Sequence, residues 1–240
     1  MEQTDISPQT GKTGNISRVT RSKAESKAAY DRMSTWYDLL TGGSEKKFRE
    51  AGLEKLDTRE GEVILELGFG TGHCISAIAK AVGDTGKVYG IDLSEGMLEI
   101  TSGRLAKAGL LERAELTCGD ATALPYPDNF FDAVFMSFTL ELFDTPVIPV
   151  VLQQCKRVLK PGGRICVVAM AGSSNPGTMM RVYEWAHRNF EKYVDCRPIF
   201  VGQVLEDASF TNLDTTMLSL WGLPVKIVLA KKETGIVQRS

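Results

Sequence analysis

A short apolar run followed by closely spaced glycines constrains this chain more than any other feature of its sequence. Residues 63–67 are almost wholly apolar, as in a strand buried on both faces of a parallel sheet. Gly68, Gly70 and Gly72 then end the run, and glycine both adopts positive φ and lets a ligand approach the backbone. Apolar residues next recur at helical spacing, at Ile75, Ile78, Ala79 and Val82. The order is therefore strand, glycine loop and helix, and the helix N-terminus offers unpaired N–H groups to a ligand.

An acidic residue follows the second apolar run. Asp92 comes directly after residues 87–91, twenty positions beyond Gly72, where a carboxylate suits ribose hydroxyls. The dinucleotide pattern G-x-G-x-x-G would need glycine at position 73, which is His73, and the phosphate-loop pattern fails at the same place. The loop therefore indicates a nucleoside-containing ligand without a pyrophosphate. The alternative is a tight strand-to-helix turn that binds nothing.

Four motifs follow one another along the chain. They are Glu66–Gly72 (ELGFGTG), Gly90–Leu98 (GIDLSEGML), Gly119–Ala121 (GDA) and Lys160–Gly163 (KPGG). In this order and spacing they resemble the motifs of class I S-adenosylmethionine-dependent methyltransferases, and most closely the ubiquinone/menaquinone C-methyltransferase-like group. The resemblance spans residues 28–231. It implies methyl transfer from S-adenosylmethionine to a small, apolar or lipid-like acceptor, with the reacting atom (carbon, oxygen, nitrogen or sulfur) left open.

The resemblance also implies contacts with the nucleoside part of the cofactor. Asp92 would accept hydrogen bonds from the ribose hydroxyls, and Leu93 would lie against the adenine. Asp120 would accept from the adenine amino group, and Ala121 would give a backbone contact. By itself Asp120 is typical of a turn acid after a strand. Its place after Gly119, with the other motifs on either side, favours the binding role.

Glu66, Gly68 and Gly70 would flank the methionine part of the cofactor. Phe69 departs from the small residue or cysteine usual in similar enzymes, and its ring could lie along the cofactor or only pack. The resemblance thus predicts these cofactor-binding residues: Tyr30, Tyr37, Glu66, Gly68, Phe69, Gly70, Gly72, Asp92, Leu93, Met97, Asp120, Ala121 and Ser137.

No catalytic triad is predicted, because displacement at a sulfonium carbon depends mainly on positioning and exclusion of water. Tyr30 and Glu141 are weak catalytic candidates. In the resembling group an N-terminal helix with a Tyr-Asp pattern folds over the cofactor, and Tyr30-Asp31 and Tyr37-Asp38 repeat that pattern. Aromatic faces attract a cation such as the sulfonium. The alternative is an amphipathic helix that packs its aromatic residues on the sheet.

The segment Ser137–Asp144 bears on the acceptor. It lacks the Gly-Arg-Asn-like run that is usual in quinone-methylating relatives, which weakens a quinone assignment. Glu141 is the acid in its apolar part. It could bind a substrate cation, act as a base, or be a solvated acid at a helix start, and the sequence slightly favours the last. Residues 171–200, rich in methionine and aromatic residues, would form the other wall of the pocket.

The alternation of strands and helices predicts the fold class. We expect an α/β protein with a Rossmann-like, seven-stranded, mostly parallel sheet, an antiparallel last strand, helices on both faces and an N-terminal helical lid. Strands are expected at about 62–67, 87–91, 113–118, 131–136, 164–170, 213–221 and 225–231, with residues 222–224 as the turn of the last hairpin. Helices include 44–56, 176–190 and 201–208, one capped by Ser94, and one after Pro146 that Pro161-Gly-Gly163 should end. We expect residues 1–22 to be a disordered tail, residues 23–60 to form the lid and residues 61–240 to form the methyltransferase domain.

Composition limits the other possibilities. The net charge of −2 gives no case for nucleic-acid binding, and the five cysteines form no C-x-x-C pair, so no metal site is expected. Reduced thiols, a polar N-terminus and the lack of an apolar run of membrane-spanning length predict a cytoplasmic protein whose partner is a small-molecule methyl acceptor. The oligomeric state is left open. Two alternatives stand beside this prediction: an NAD-linked oxidoreductase and a non-catalytic methyltransferase-like binding module.

Overall fold

One mixed sheet organises the part of the chain that the computed structural model describes, residues 45–172 and 197–234. Its strands are β1 (Val63–Leu67), β2 (Lys87–Asp92), β3 (Ala114–Cys118), β4 (Phe131–Ser137), β5 (Leu159–Met170), β6 (Phe210–Leu220) and β7 (Leu223–Lys232). The helices are α1 (residues 45–56), α2 (His73–Ala81), α3 (Glu95–Ala108), α4 (Ile148–Val158) and α5 (Val201–Asp207), with 3₁₀ turns at Leu111–Arg113 and Leu140–Leu142.

The strand order is β3-β2-β1-β4-β5-β7-β6. Strands β1 to β5 pair in parallel, and β7 runs antiparallel to both of its neighbours. The predicted fold class is therefore confirmed in its sheet. Strands β2 and β3 extend the sheet on one side of β1, and β4 and β5 extend it on the other, so the order reverses between β1 and β4. In open α/β sheets such a reversal opens a crevice at the carboxyl ends of the strands, where ligands bind.

Helices cover both faces of the sheet, as predicted. On one face α1, α2 and α3 contribute Phe48, Ile75 and Met97 to a buried cluster that includes Ile64 of β1. On the other face, α4 and α5 pack against alternate strand residues such as Leu65. Because neighbouring strand residues point to opposite faces, the continuous apolar run of β1 supplies both cores.

Two element boundaries differ from the sequence-based expectation. The Pro161-Gly-Gly163 motif was expected to end α4, but α4 ends at Val158 and the motif lies within β5. Leu159 is already extended and pairs with Phe131, so pairing with β4 ends the helix before the proline does. The last hairpin turns at Trp221 and Gly222, whose φ angles of 50° and 85° are those of the type I′ turn that joins twisted strands.

Helix α1 is fixed to the sheet. Gly52 lies directly beside the Val168 side chain of β5, an approach that no larger residue would allow. At its end, the Arg164 guanidinium donates to the Leu56 carbonyl at 2.6 Å and to both carboxylate oxygens of Glu62 at 2.7 Å. This paired, largely buried arginine of β5 thus holds the end of α1 and the start of β1.

Several predictions fall outside the described residues. These are the tail, the lid residues 23–44 with Tyr30 and Tyr37, and the helix expected at 176–190. Within residues 45–172 and 197–234, no helix is long and apolar enough to cross a membrane.

Candidate functional site

The glycine loop lies where the strand order reverses. The Gly68 N–H still donates to the Ile91 carbonyl of β2 at 2.8 Å, and the Gly72 N–H donates to the Phe69 carbonyl at 2.9 Å, closing a turn. Gly68, Gly70 and Gly72 all have positive φ, between 50° and 83°. Helix α2 begins at His73, which is exposed, as expected for a first-turn residue without a catalytic role.

The three glycines of the loop are required for different reasons. A Cβ at Gly68 would come within 2.5 Å of the Thr139 hydroxyl oxygen, and one at Gly72 within 2.7 Å of the Thr101 methyl carbon. A Cβ at Gly70 would meet no atom of residues 45–172 and 197–234 within 4 Å. Gly68 and Gly72 therefore allow close packing, whereas Gly70 borders open space at the ligand end of the sheet.

Asp92, at the end of β2, joins the glycine loop to α3. Its Oδ2 accepts a hydrogen bond from the Gly70 N–H at 2.9 Å, and its Oδ1 accepts from the Ser94 N–H at 3.0 Å. The Ser94 hydroxyl oxygen in turn accepts from the Met97 N–H at 3.1 Å, which confirms the predicted helix cap. These two backbone donors hold the half-buried carboxylate in a fixed orientation.

Helix α3 holds the loop from its other side, through two residues that the sequence did not single out. The Thr101 hydroxyl donates to the Gly70 carbonyl at 2.7 Å, and Arg104 Nε donates to the Thr71 carbonyl at 2.6 Å. Positions 94, 97, 101 and 104 share one face of the helix. The sequence signal that could have identified Thr101 and Arg104 was their position on the same helix face as the buried Met97.

The predicted nucleoside contacts lie together at the ends of β2 and β3. The Gly119 N–H donates to the Asp92 carbonyl at 2.8 Å, which continues the pairing of the two strands. Asp120 Oδ1 accepts from the Thr122 N–H at 2.9 Å, the geometry of an Asx turn. Ala121 is 8% exposed, and Leu93 is half-buried.

Glu66, near the end of β1, is a buried acid. It is 2% exposed, and its Oε2 has no hydrogen-bond partner within the described ranges. Burial raises the pKa of Glu66 well above its ordinary value, the Asp92 charge raises it further, and the Arg49 guanidinium of α1 opposes the shift. Arg49 itself pairs with Glu45 at 3.3 Å. The site thus holds a buried carboxyl group that keeps its proton to a higher pH than an ordinary glutamate.

The segment after β4 lies beside the glycine loop. Because Leu67 pairs with Met136, Ser137 is level with Gly68. The Ser137 Oγ is buried and has no hydrogen-bond partner in the described part of the chain. Thr139 then packs directly against Gly68. Ser137 and the predicted methionine-flanking residues are therefore brought together.

Glu141 is not a solvated acid, and that interpretation of the sequence was wrong. It is 0% exposed in the 3₁₀ turn after β4, where Oε1 accepts from the Met170 N–H at 3.1 Å. Oε2 has no hydrogen-bond partner among residues 45–172 and 197–234. Burial is the main reason that the pKa of Glu141 is raised to about 8.

Arg197, fully buried, holds the segment around Glu141 and was missed by sequence reasoning. Its guanidinium donates to the Glu141 carbonyl at 3.1 Å, to the Thr145 hydroxyl at 2.9 Å and to the Phe143 carbonyl at 2.5 Å. A single arginine in a stretch without a motif gives no sequence signal for this role.

Comparison with known proteins decides the family. A family profile described as "Methyltransferase domain" matches residues 64–163. A demethylmenaquinone methyltransferase from Lactobacillus johnsonii is 28% identical over 223 residues, which cover 85% of this chain and 88% of that protein. The ubiquinone/menaquinone biosynthesis C-methyltransferase UbiE of Pseudomonas fluorescens is 33% identical over 177 residues, covering 74% of this chain and 66% of UbiE.

The chain belongs to the class I S-adenosylmethionine-dependent methyltransferases. A solved structure of the [4+2]-cyclase SpnF has the same fold, with a TM-score of 0.72 at 20% identity over 90% of this chain and 98% of that one. That similarity concerns the fold alone.

The residues at the carboxyl edge of this methyltransferase fit its cofactor. Open space borders Gly70, next to the fixed Asp92 carboxylate. Buried oxygens of Glu66 and Ser137, which have no hydrogen-bond partner in the described part of the chain, lie at the ends of the two strands that flank the reversal. S-adenosylmethionine carries two cationic groups, a sulfonium and an ammonium, which oxygen atoms of this kind stabilise.

Two predicted cofactor-binding residues of the methyltransferase pack in its core. Phe69 is 3% exposed and Met97 is 2% exposed, and both belong to the cluster beneath α2 and α3. Phe69 Cδ1 is close enough to Gly90 that a Cβ there would come within 2.7 Å. Packing therefore accounts for the Phe69 ring, which was one of the two alternatives.

No group of three or more possible metal ligands occurs among the described residues of the methyltransferase. The described cysteines, Cys74, Cys118, Cys155 and Cys166, are not joined in disulfides.

Proposed function

We propose that this methyltransferase acts on a small, apolar hydroxyaromatic acceptor of the quinol type. The observation that carries the proposal is the carboxyl edge at the strand reversal. There Asp92 is fixed beside the open face of Gly70, and buried oxygens without a partner among the described residues lie at the ends of β1 and β4. The acceptor class comes from the names of the relatives, which methylate demethylmenaquinone or act in ubiquinone and menaquinone biosynthesis.

We assign the nucleoside end of the site to the ends of β2 and β3. Asp92 accepts from the ribose hydroxyls while it keeps its two backbone donors, because a carboxylate offers about four acceptor positions. Leu93 and Ala121 border the adenine, and Asp120 accepts from its amino group. Support comes from the Gly119 N–H bond to the Asp92 carbonyl, which sets the two acids side by side.

We assign the methionine end to β1 and the glycine loop. Glu66 Oε2, buried and without a partner in the described residues, accepts from the cofactor ammonium, and Gly70 leaves room for the chain of the amino acid. A cation at this point lowers the pKa of Glu66 and restores its charge. Thr101 and Arg104 keep the loop in place through its carbonyls.

Bound S-adenosylmethionine supplies a methyl group on a sulfonium, whose leaving group is a neutral thioether. The protein therefore needs no group to activate the leaving sulfur. Its residues align the acceptor with the methyl carbon and exclude water, which is mainly a matter of positioning. Arg197 fixes the segment after β4, and Phe48 and Phe138 pack edge to face with their ring centroids 6.2 Å apart next to it.

Phe48 and Phe138 are buried in the core next to the segment after β4, and we propose that this segment borders an apolar site for a lipid-like acceptor. The absence of the Gly-Arg-Asn-like run after β4 means that a quinol would be held by other residues than in the quinone-methylating relatives. A small-molecule acceptor and a cytoplasmic location complete the proposal.

Two measurements test it. Isothermal titration should show binding of S-adenosylhomocysteine and none of NAD, which separates the methyltransferase from the oxidoreductase. Labelled S-adenosylmethionine should then transfer its methyl to a chemically reduced 2-prenyl-1,4-naphthoquinone and not to the oxidised form. Transfer to amine or thiol probes alone would contradict the quinol assignment, and cofactor binding with no transfer to any probe would favour the non-catalytic module.

A further inference from the structure

The two carboxyl oxygens of Glu141 differ in their hydrogen bonding. Oε1 accepts from the Met170 N–H at the end of β5, and its backbone carbonyl accepts from the Arg197 guanidinium. Oε2 is buried without a hydrogen-bond partner in the described ranges. An unsatisfied buried carboxyl oxygen is costly to the folded state, and in native structures such a group calls for an explanation. Cofactor binding as assigned above does not use it.

The position of Glu141 relates it to the methyl-transfer region. Ser137 is level with Gly68, and Thr139 packs on Gly68 from the loop that borders the methionine part of the cofactor. Glu141 follows two residues later, at the ends of β4 and β5 on the acceptor side of the strand reversal. Its carboxyl group therefore lies on the side of the crevice opposite to Asp92 and the nucleoside contacts.

Burial has the largest effect on the Glu141 carboxyl group and raises its pKa. The backbone N–H groups of Glu141 and Met170 lower the pKa, Glu45 of α1 raises it, and Arg197 lowers it. With a pKa of about 8 the carboxyl group titrates close to physiological pH. That range suits a general base, since a base works best when its pKa is near the working pH.

We propose that Glu141 is the proton acceptor of the methyl-transfer reaction, with Oε2 taking the proton that the acceptor loses. The inference rests on the proposed function. For a quinol, Oε2 takes the hydroxyl proton, and the O–H electron pair moves into the ring. A ring carbon bonds to the methyl carbon as the carbon–sulfur pair stays on sulfur, giving a neutral thioether. The ring C–H proton then returns to the oxygen through solvent, so one proton is left on Glu141.

The first test needs no acceptor. S-adenosylmethionine and S-adenosylhomocysteine differ by one methyl group and one positive charge. If Glu141 faces the sulfonium, S-adenosylmethionine binding at neutral pH should release a proton that S-adenosylhomocysteine binding does not. Titration calorimetry in phosphate and in Tris, whose ionisation enthalpies differ, measures that release. In Glu141→Gln, which keeps an acceptor for the Met170 N–H, the two ligands should release the same number of protons on binding. An equal difference in the wild-type and variant proteins would overturn the proposal.

The second test is the pH dependence of turnover with the reduced 2-prenyl-1,4-naphthoquinone. The wild-type kcat should rise with pH up to the pKa of Glu141 in the complex. In Glu141→Gln the kcat should fall about 100-fold or more and lose this rise, while KM changes by less than about threefold. A Gln variant that keeps the rising limb would contradict a role as base.

A matched control separates this role from a structural one. Glu62→Gln also removes a paired, largely buried carboxylate, but at the opposite edge of the sheet, where it binds Arg164. It should lower the melting temperature and leave both the proton release and the pH profile unchanged. Failure of the proposed function would instead show as a wild-type protein that does not bind S-adenosylhomocysteine.

Discussion

Replacing Asp92 by asparagine tests the centre of the assigned site. Asparagine has the same shape, so one oxygen still accepts from a backbone N–H, but its amide nitrogen cannot accept from the second. Both Gly70 and Ser94 donate to the carboxylate, at 2.9 and 3.0 Å. Alanine would remove both bonds and would confuse loss of ligand with loss of the loop. Asparagine keeps the loop close to its position and removes the charge.

The size of the effect follows from the number of donors. A hydrogen bond to a charged group contributes about 1.5–3 kcal/mol. If the variant loses one such bond to a ribose hydroxyl, S-adenosylhomocysteine should bind about 10- to 150-fold more weakly. The unfolding free energy should fall by about 1–3 kcal/mol, because one backbone N–H next to Asp92 loses its acceptor.

Titration calorimetry with S-adenosylhomocysteine and urea denaturation measure the two effects separately. Asp128→Asn is the control: its carboxylate pairs with Arg157 at 2.8 Å but is 67% exposed, so neither quantity should change by more than about 1 kcal/mol. An Asp92→Asn protein that is folded and binds S-adenosylhomocysteine as tightly as the wild type would refute the ribose assignment.

Three further predictions concern the same edge of the sheet. Gly70→Ala should mainly weaken S-adenosylhomocysteine binding, whereas Gly68→Ala should mainly lower the melting temperature, because only the Gly68 variant places a methyl group against Thr139. Titration calorimetry and thermal melts measure the two effects, and a Gly70→Ala protein with unchanged affinity would show that no ligand lies beside Gly70. The unfolding free energy of Glu141→Gln should increase relative to the wild type as pH rises from about 4.5 to about 8, by up to about 1.4 kcal/mol per pH unit, because the folded wild-type carboxyl group keeps a proton that the unfolded chain releases. Urea denaturation across this pH range measures the difference, and the same pH dependence of stability in both proteins would contradict the raised pKa of Glu141. Chelation with EDTA should leave methyl transfer unchanged, since displacement at a sulfonium carbon needs no Lewis acid, and activity lost to EDTA and restored by one divalent ion would show otherwise.

The sheet and its order of elements could be predicted because they depend on local patterns. The buried run before Gly68, the helical spacing after Gly72 and the Ser94 cap each act over a few residues, and each was confirmed. Parallel strands joined by helices allow few arrangements, so alternation alone predicts helices on both faces. The end of α4 was misplaced because the pairing of Leu159 with Phe131, a contact between distant residues, decides it.

In the candidate site, too, local sequence spacing predicted some features and contacts between distant residues decided others. Sequence spacing was enough to name Asp92 and the three glycines, since ligand contacts in this fold come from turns directly after strands. It could not show that Gly70 borders open space while Gly68 and Gly72 contact threonines, because Thr139 and Thr101 come from other elements. The roles of the cofactor-binding residues remain predictions, to be tested by the variants above.

What only the tertiary structure decided is the environment of the acids. The sequence shows Glu141 as one acid in an apolar stretch, and a solvated position was the simpler interpretation. Folding instead brings Met170, Arg197 and Glu45 around it from three distant parts of the chain. Burial and charge at a side chain are sums over neighbours in space, which no local pattern records. The sequence by itself determined where the cofactor loop lies, and the packing of remote segments determined which carboxyl groups beside it are buried and able to take up a proton.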